Sequence, residues 1–336
     1  MKLKAVFLAD DRDEKIEQVF NAKIRGTMKT MVDLHPVYIH PGNAEERLEE
    51  LRDVRIAFAT WGIPPFSTEM LHRYMPNLNV LFYAAGSVQR FARDFMEANV
   101  TVVSAWGANS VPVAEFTAAQ ILLANKGFLS SSRLYKKGDF RGAKQVAGQY
   151  PGNYGARVGI LGAGMIGRKV IELLGRHELA VDVFDPFLPD ETAARMGVRK
   201  TDLIDIFTNC DTISNHLANL PATQGMLHKD HFNRMKPYAT FINTGRGAQV
   251  VEADLIRALK EVPTRTALLD VTYPEPVVAD SELLLLDNVI LTPHIAGSMN
   301  LEVARMGSFM VEECERYLNG EALKYQVTPE MLATMA

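Results

Sequence analysis

The chain has 336 residues, 47% hydrophobic and 23% charged, the balance of an ordinary globular protein with room for about two domains. Its 36 basic and 40 acidic side chains leave a formal charge of −4, which gives no nucleic-acid footprint, and no uninterrupted apolar run approaches the ~20 residues of a bilayer span. Cys210 and Cys314 stand far apart without metal-ligand spacing and read as buried thiols in a reducing cytoplasm, with no metal site expected.

Lys4 to Leu8 reads as an opening strand. Its apolar part is too short for a signal peptide and runs into Asp10, Asp11 and Asp13. A polar helical stretch to about Arg25 follows, then short strands at Val37 to Ile39 and Arg55 to Thr60 with an acidic helix, Ala44 to Leu51, between them. Helices at Leu71 to Met75 and Phe91 to Ala98 flank a strand at Val80 to Tyr83. Strand alternating with helix implies a parallel sheet. Val111 to Ala124 is a long apolar helix that carries the chain into a second unit, and Gly127 to Tyr154, rich in Gly, Lys and Ser, offers connectors and surface rather than core.

Arg157 to Asp185 is the most informative stretch. Val158 to Leu161 is apolar and β-prone, as a strand buried on both faces should be. Gly162, Gly164 and Gly167 then spell G-x-G-x-x-G in the loop that also holds Met165 and Ile166. Gly162 permits a tight turn, Gly164 lets a pyrophosphate approach the backbone, and Gly167 lets the helix pack against the strand. The helix that starts there points free N–H groups and its positive dipole end at phosphates. A second strand, Leu179 to Phe184, ends in Asp185, eighteen residues after the last glycine. A carboxylate there accepts hydrogen bonds from both ribose hydroxyls of an adenosine and repels a 2′-phosphate. With no Arg or Lys in FDPFLPDE, NAD is favoured over NADP; FAD, which shares the fingerprint, commonly carries it near the N-terminus.

Beyond Asp185, strands are expected at Thr212 to Asn215, Ala239 to Asn243, Ala267 to Val271 and Val289 to Leu291. Helices include Asp202 to Phe207, Lys229 to Met235 and Glu252 to Leu259. An amphipathic helix from about Leu301 to Leu318 stops at Asn319-Gly320 and is expected to return to the first domain. Reactive side chains fall at strand ends, which line the ligand crevice of an open parallel sheet. Arg246 stands between Gly245 and Gly247, where its fork has room to grip a carboxylate or polarise a carbonyl. Asp270 ends a strand, Glu275 sits between two prolines that fix its direction, and His294 follows Pro293.

These segments, with GANSVPVAEF, INTGRGAQVVEADLIRAL, DVTYPEP and LTPHIAG in order, resemble the D-isomer-specific 2-hydroxyacid dehydrogenases over nearly the full chain. The resemblance implies an α/β protein of two doubly wound parallel-sheet domains. A Rossmann NAD-binding domain, residues 106–298, would be inserted into a flavodoxin-like substrate domain, residues 1–105 plus 299–336. It also implies a homodimer formed through the NAD-binding domains. Carried over, Arg246 would orient a small 2-oxo acid, and His294 would protonate the alkoxide as hydride from NADH reaches C2, in the cleft between the domains. Glu275 would pair with His294 and favour its charged form. Asp270 would face the nicotinamide carboxamide, Thr244 and His216 would lie near the cofactor, and Ala85 and Gly86 in YAAGSVQRF would bind the substrate carboxylate.

Two departures stand out. Ala218 occupies a position where the family often has proline after His216, so local rigidity should fall, and Ser87, Val88 and Gln89 replace a common Asp, which bears on substrate identity. Trp61, Tyr83, Trp106 and Met299 would suit an apolar substrate side chain, although core burial is the commoner fate of such residues. The same fold also serves NAD(H)-sensing corepressors and formate-type dehydrogenases. The latter would place glutamine where Glu275 stands.

Overall fold

Short apolar runs rich in β-branched residues form the strands of two parallel sheets in this computed structural model, which describes residues 2–10 and 14–333; Asp11 and Asp13 lie outside the described residues. The chain divides into two compact units, Met1–Ser110 with Ser298–Ala336, and Val111–Gly297. The first division falls within the helix Trp106–Ala124, next to Pro112.

The first unit holds β1 (Lys4–Phe7), β2 (Asp33–Leu34), β3 (Val54–Ala59), β4 (Val80–Tyr83) and β5 (Thr101–Ser104) in the order β2-β1-β3-β4-β5, every pairing parallel. That order is the flavodoxin-like one. The expected strand at Val37 to Ile39 is instead Asp33–Leu34; Pro36, with no N–H to give, interrupts pairing, and Ile39 makes only an isolated bridge to Leu8. The acidic helix is broken into Pro41–Ala44, a 3-10 turn Glu45–Arg47, and Leu48–Leu51, because Arg47 leaves helical geometry at φ −122°. The polar stretch to Arg25 is likewise two helices, Glu14–Val19 and Ala22–Met31, the second capped by the Asn21 side chain on the N–H of Ile24.

The returning helix is Val303–Leu318. Its buried face, Val303, Met306, Met310, Val311 and Cys314, packs with Phe7, Val19, Phe20, Phe58 and Phe82 in one core cluster on one face of the sheet. A Cβ at Gly307 would lie 2.1 Å from the carbonyl oxygen of Val19, so glycine sets the closeness of that approach.

The second unit holds β6 (Tyr154–Leu161), β7 (Glu178–Phe184), β8 (Arg199–Lys200), β9 (Thr212–Asn215), β10 (Thr240–Asn243), β11 (Thr266–Leu269) and β12 (Val289–Leu291). The order β12-β11-β10-β9-β6-β7-β8 is all parallel and reverses direction at β6, with β7 on one side and β9 on the other. A reversal of this kind opens the crevice in which doubly wound sheets bind ligands. Residues 127–154 are more than connectors: Phe128–Lys136 and Phe140–Ala147 are helices, the second capped by Asp139 on the N–H of Gly142. Of the two, only Ala143 is buried, so the weak apolar signal reflects a surface location rather than a lack of structure. Among the described residues no helix is long and apolar enough to cross a membrane.

Candidate active site

Each strand of the second unit from β6 to β12, except the edge strand β8, hands the chain directly to a residue singled out above: Gly162 after β6, Asp185 after β7, His216 after β9, Thr244 after β10, and Asp270 and His294 within three residues of β11 and β12. Parallel pairing therefore collects them along one edge of one sheet.

At the glycine loop the three positions differ as their assigned jobs require. Gly162 has φ +91°, and a Cβ there would sit 2.9 Å from the carbonyl oxygen of His216. A Cβ at Gly167 would fall 2.0 Å from the carbonyl oxygen of Gly162. Gly164 faces open space, and it begins the helix Met165–Leu174 without any side-chain cap, leaving first-turn N–H groups free. Met165 is exposed and Ile166 is partly buried against the core. The Asp185 carboxylate accepts from the N–H groups of Ala163 and Phe187, each at 2.8 Å, which aims it across the loop and leaves lone pairs for two hydroxyls. An open cradle, an uncapped helix start and an oriented carboxylate fit a dinucleotide.

A cavity of about 550 Å³ adjoins Asp185, lined by Phe184, Pro186, Ala193, Val198 and Lys200 among others. Lys200 reaches it from β8, outside the segment FDPFLPDE, but its ammonium is engaged by Asp190 at 3.1 Å and by the carbonyl oxygen of Leu188 at 2.7 Å.

Arg246, Glu275 and His294 are brought together. His294 Nδ1 lies 2.6 Å from Glu275 Oε1, with the two side chains 45% and 39% exposed. Arg246 is partly buried and donates to the carbonyl oxygen of Gly245 at 2.8 Å. Burial pulls its pKa down from the ordinary guanidinium value, and the charge of nearby Glu275 works against that shift. Gly247 serves a purpose other than room for substrate: a Cβ there would meet the backbone carbonyl carbon of Thr272 at 2.0 Å, so glycine lets the loop carrying Glu275 close on the loop carrying Arg246. The peptide bonds before Pro274 and Pro276 are cis.

Asp270 is buried and turned toward the histidine's own loop. Its Oδ1 accepts from Thr292 Oγ1 at 2.6 Å and from the N–H of Ile295 at 2.8 Å, and its Oδ2 from the N–H of Ala296 at 2.9 Å. His294 has φ +53°, a conformation L-residues rarely adopt, and its N–H donates to the carbonyl oxygens of Asp270 and Thr292. Thr244 is buried against Thr117, 3.0 Å between hydroxyls. Burial pushes the His216 imidazole down to about 3; Nε2 meets Ser214 Oγ at 2.9 Å, and Nδ1 is enclosed with no partner among the described residues.

In the first unit, Ala85 and Gly86 follow β4, and their carbonyl oxygens both accept from Ser104 Oγ, at 2.8 and 2.7 Å. Asn109 lies against Gly86 and accepts from the N–H of Ser298 at 3.0 Å. Tyr83 is a core residue on Phe91, with ring centroids 4.7 Å apart, and burial pushes its hydroxyl up to about 12. Trp61 packs on the core of this unit and Trp106 on Tyr325, whereas Met299 is exposed. Sequence reasoning missed Asn215, Asn243 and Gln249, three fully buried amides behind the strand ends. The visible hint was two neighbouring strands, TISN and TFIN, that both finish on asparagine.

A nucleotide-binding sheet that carries a paired imidazole and carboxylate beside a guanidinium defines a class of dinucleotide-dependent oxidoreductases. The description "D-isomer specific 2-hydroxyacid dehydrogenase, NAD binding domain" matches residues 118–296, and the chain belongs to that family. It is 32% identical over 221 residues to a D-3-phosphoglycerate dehydrogenase of Archaeoglobus fulgidus, covering 66% of this chain and 41% of that protein. To the D-3-phosphoglycerate dehydrogenase of Methanocaldococcus jannaschii it is 30% identical over 284 residues, covering 82% and 52%. The chain thus spans about half the length of these relatives. Its fold is similar to that of Rhodotorula graminis D-mandelate dehydrogenase, with TM-score 0.81, 20% identity and 98% of each chain covered. A phosphoglycerate oxidoreductase from Rhizobium etli gives TM-score 0.80 and 23% identity, with 97% of this chain and 98% of that one covered.

Proposed function

We propose that the chain reduces a small 2-oxo acid to the D-2-hydroxy acid, and catalyses the reverse oxidation, with NAD(H). The observation that carries this reading is the 2.6 Å contact between Glu275 and His294 beside the partly buried Arg246, on the strand-end edge that also bears the glycine loop. Bound NADH supplies the hydride that reduces C2. Glu275 occupies Nδ1 of His294, which leaves Nε2 to give its proton to the carbonyl oxygen and to take it back in the reverse direction. Arg246 holds the substrate through its carboxylate and carbonyl oxygen, its two-pronged donor geometry fixing orientation as well as charge. Asp185 accepts from the adenosine ribose, and Ala85 and Gly86 form the carboxylate loop. The interaction-protein reading has no observation of its own in its favour.

The test is an NADH-oxidation screen over glyoxylate, pyruvate, hydroxypyruvate and its 3-phosphate, phenylglyoxylate, phenylpyruvate and branched 2-oxo acids. Saturable turnover with at least one of them is expected; none across the panel would refute the reaction. A homodimer through the second unit is part of the proposal, supported by the exposed apolar side chains Leu123, Phe128, Tyr135, Phe140 and Tyr154 on and beside its surface helices. Sedimentation should give twice the 37.4 kDa chain mass, falling toward one chain in Phe140→Glu.

A further inference from the structure

We infer that Gln249 is a positioning residue whose buried amide clamps the loop after β9 to the loop that presents Arg246, replacing with hydrogen bonds the stiffness a proline at position 218 would confer. The inference rests on the role proposed for Arg246. Asn215 and Asn243 end adjacent strands and face each other in register, and Gln249 completes a three-amide cluster with no exposure to solvent.

Every polar atom of the cluster is used. Asn215 Nδ2 donates to Asn243 Oδ1 at 3.0 Å and to Gln249 Oε1 at 2.5 Å. Asn215 Oδ1 accepts from the N–H of Leu217, and Asn243 Oδ1 from that of Gly245. Asn243 Nδ2 donates to the carbonyl oxygen of Arg246 at 3.1 Å. Gln249 Nε2 donates to the carbonyl oxygens of Leu217 at 2.6 Å and Ala218 at 2.9 Å. The two carbonyls require that Gln249 present its nitrogen to them, and the Asn215 donor requires its oxygen on the other side, so the orientation follows from the network. Gly245 fits the same arrangement, since a Cβ there would lie 3.2 Å from both Asn215 Nδ2 and Gln249 Oε1.

The clamped segment abuts the nucleotide loop, as the closeness of Gly162 to the carbonyl of His216 shows. One side chain therefore ties the loop bordering the glycine turn to the backbone that carries the guanidinium. Loss of rigidity at Ala218, expected from the missing proline, is compensated from another loop. Apolar residues would fill this space at less desolvation cost, so a fully satisfied polar cluster here is a device for fixing geometry.

Gln249→Met keeps the side chain's length and deletes both donors. Amide exchange across 216–220 should quicken selectively, NADH binding followed by fluorescence should weaken about tenfold, the scale of one lost hydrogen bond, and kcat should fall further than KM rises. Gln249→Glu, which keeps the acceptor for Asn215 and loses the donors, should do the same and serves if the methionine variant fails to fold. Adding Ala218→Pro to Gln249→Met should restore most of the NADH affinity. Exchange and affinity within twofold of the parent would overturn the inference. So would a loss spread evenly over β9 and β10 that the proline does not recover. Should the parent protein reduce no 2-oxo acid, the proposed reaction fails, while exchange and NADH binding still decide the role of Gln249.

Discussion

Asp270→Asn separates two accounts of one buried carboxylate. If Asp270 chiefly faces the cofactor, the substitution should weaken NADH binding and little else. The hydrogen bonds point to a different burden: Thr292 Oγ1 and the N–H groups of Ile295 and Ala296 all converge on it, and His294 sits among them at φ +53°. Holding a non-glycine residue in that region costs about 1 kcal/mol, which these bonds offset. Asparagine presents one NH2 where an acceptor is needed, so at least one charge-assisted bond is lost and a backbone donor is left buried and unpaired. At ~1.5–3 kcal/mol for a bond to a charged group, the cost is about 2–4 kcal/mol. For a unit of this size that lowers Tm by about 5–10 °C. It should also let the imidazole drift from its productive position, with kcat falling about 10²-fold. Thermal unfolding and steady-state kinetics on the same preparation measure both. A Tm within about 1 °C of the parent together with kcat within twofold would refute the assignment of Asp270 to the histidine loop.

His294→Ala should cut turnover by about 10²–10⁴ with NADH binding unchanged, since the imidazole supplies a proton rather than cofactor affinity; unchanged turnover would remove it from the mechanism. Gly164→Ala and Gly167→Ala should part company. The first adds a methyl to open space and should weaken dinucleotide binding with Tm preserved, whereas the second drives a Cβ against the Gly162 carbonyl and should destabilise the fold itself, as calorimetry and NADH titration would show. His216, pushed down to about 3 by burial, stays neutral in the folded chain where the unfolded chain, titrating near 6.5, binds a proton. Its contribution to stability is therefore complete above pH ~6.5 and declines by about 1.4 kcal/mol per pH unit below it until about pH 3. Denaturant melts of His216→Gln between pH 4 and 7 should show a shallower acid limb than the parent.

The nucleotide half was legible because its signals are local. Thr212–Asn215 and Val289–Leu291 have the bounds expected from the sequence, and Gly162 and Gly167 stand where a Cβ would meet backbone, while Gly164 is left open. The 2.6 Å contact of Glu275 with His294 joins two segments whose adjacency followed from the family resemblance. What escaped was set by distant partners. Thr101–Ser104 was passed over as a strand although three of its four residues are buried, because the run is short and follows the helix Ala92–Glu97 after only three residues. The family resemblance gave Asp270 a cofactor role, whereas its bonds to Thr292, Ile295 and Ala296 are set by a loop some twenty residues on, which a sequence does not display. Gln249 carries no local signal, because the carbonyls of Leu217 and Ala218 that it holds come from a loop some thirty residues earlier. The helices between Phe128 and Ala147 are short, are separated at Gly138, and bury only Ala143, so no core demanded them.

The helix Val303–Leu318 supplies Met306, Met310 and Cys314 to a core whose other half comes from Phe7, Phe20 and Phe58, on the far side of the second unit in the sequence. During synthesis, the opening third must wait with that apolar face uncovered while the whole intervening unit is made and closes on its own contacts. A helix made after the second unit completes the core of a sheet made before it, so chaperone dependence and aggregation during expression should be governed by that uncovered sheet, and substitutions along the helix Val303–Leu318 should lower yield well before they affect dinucleotide binding.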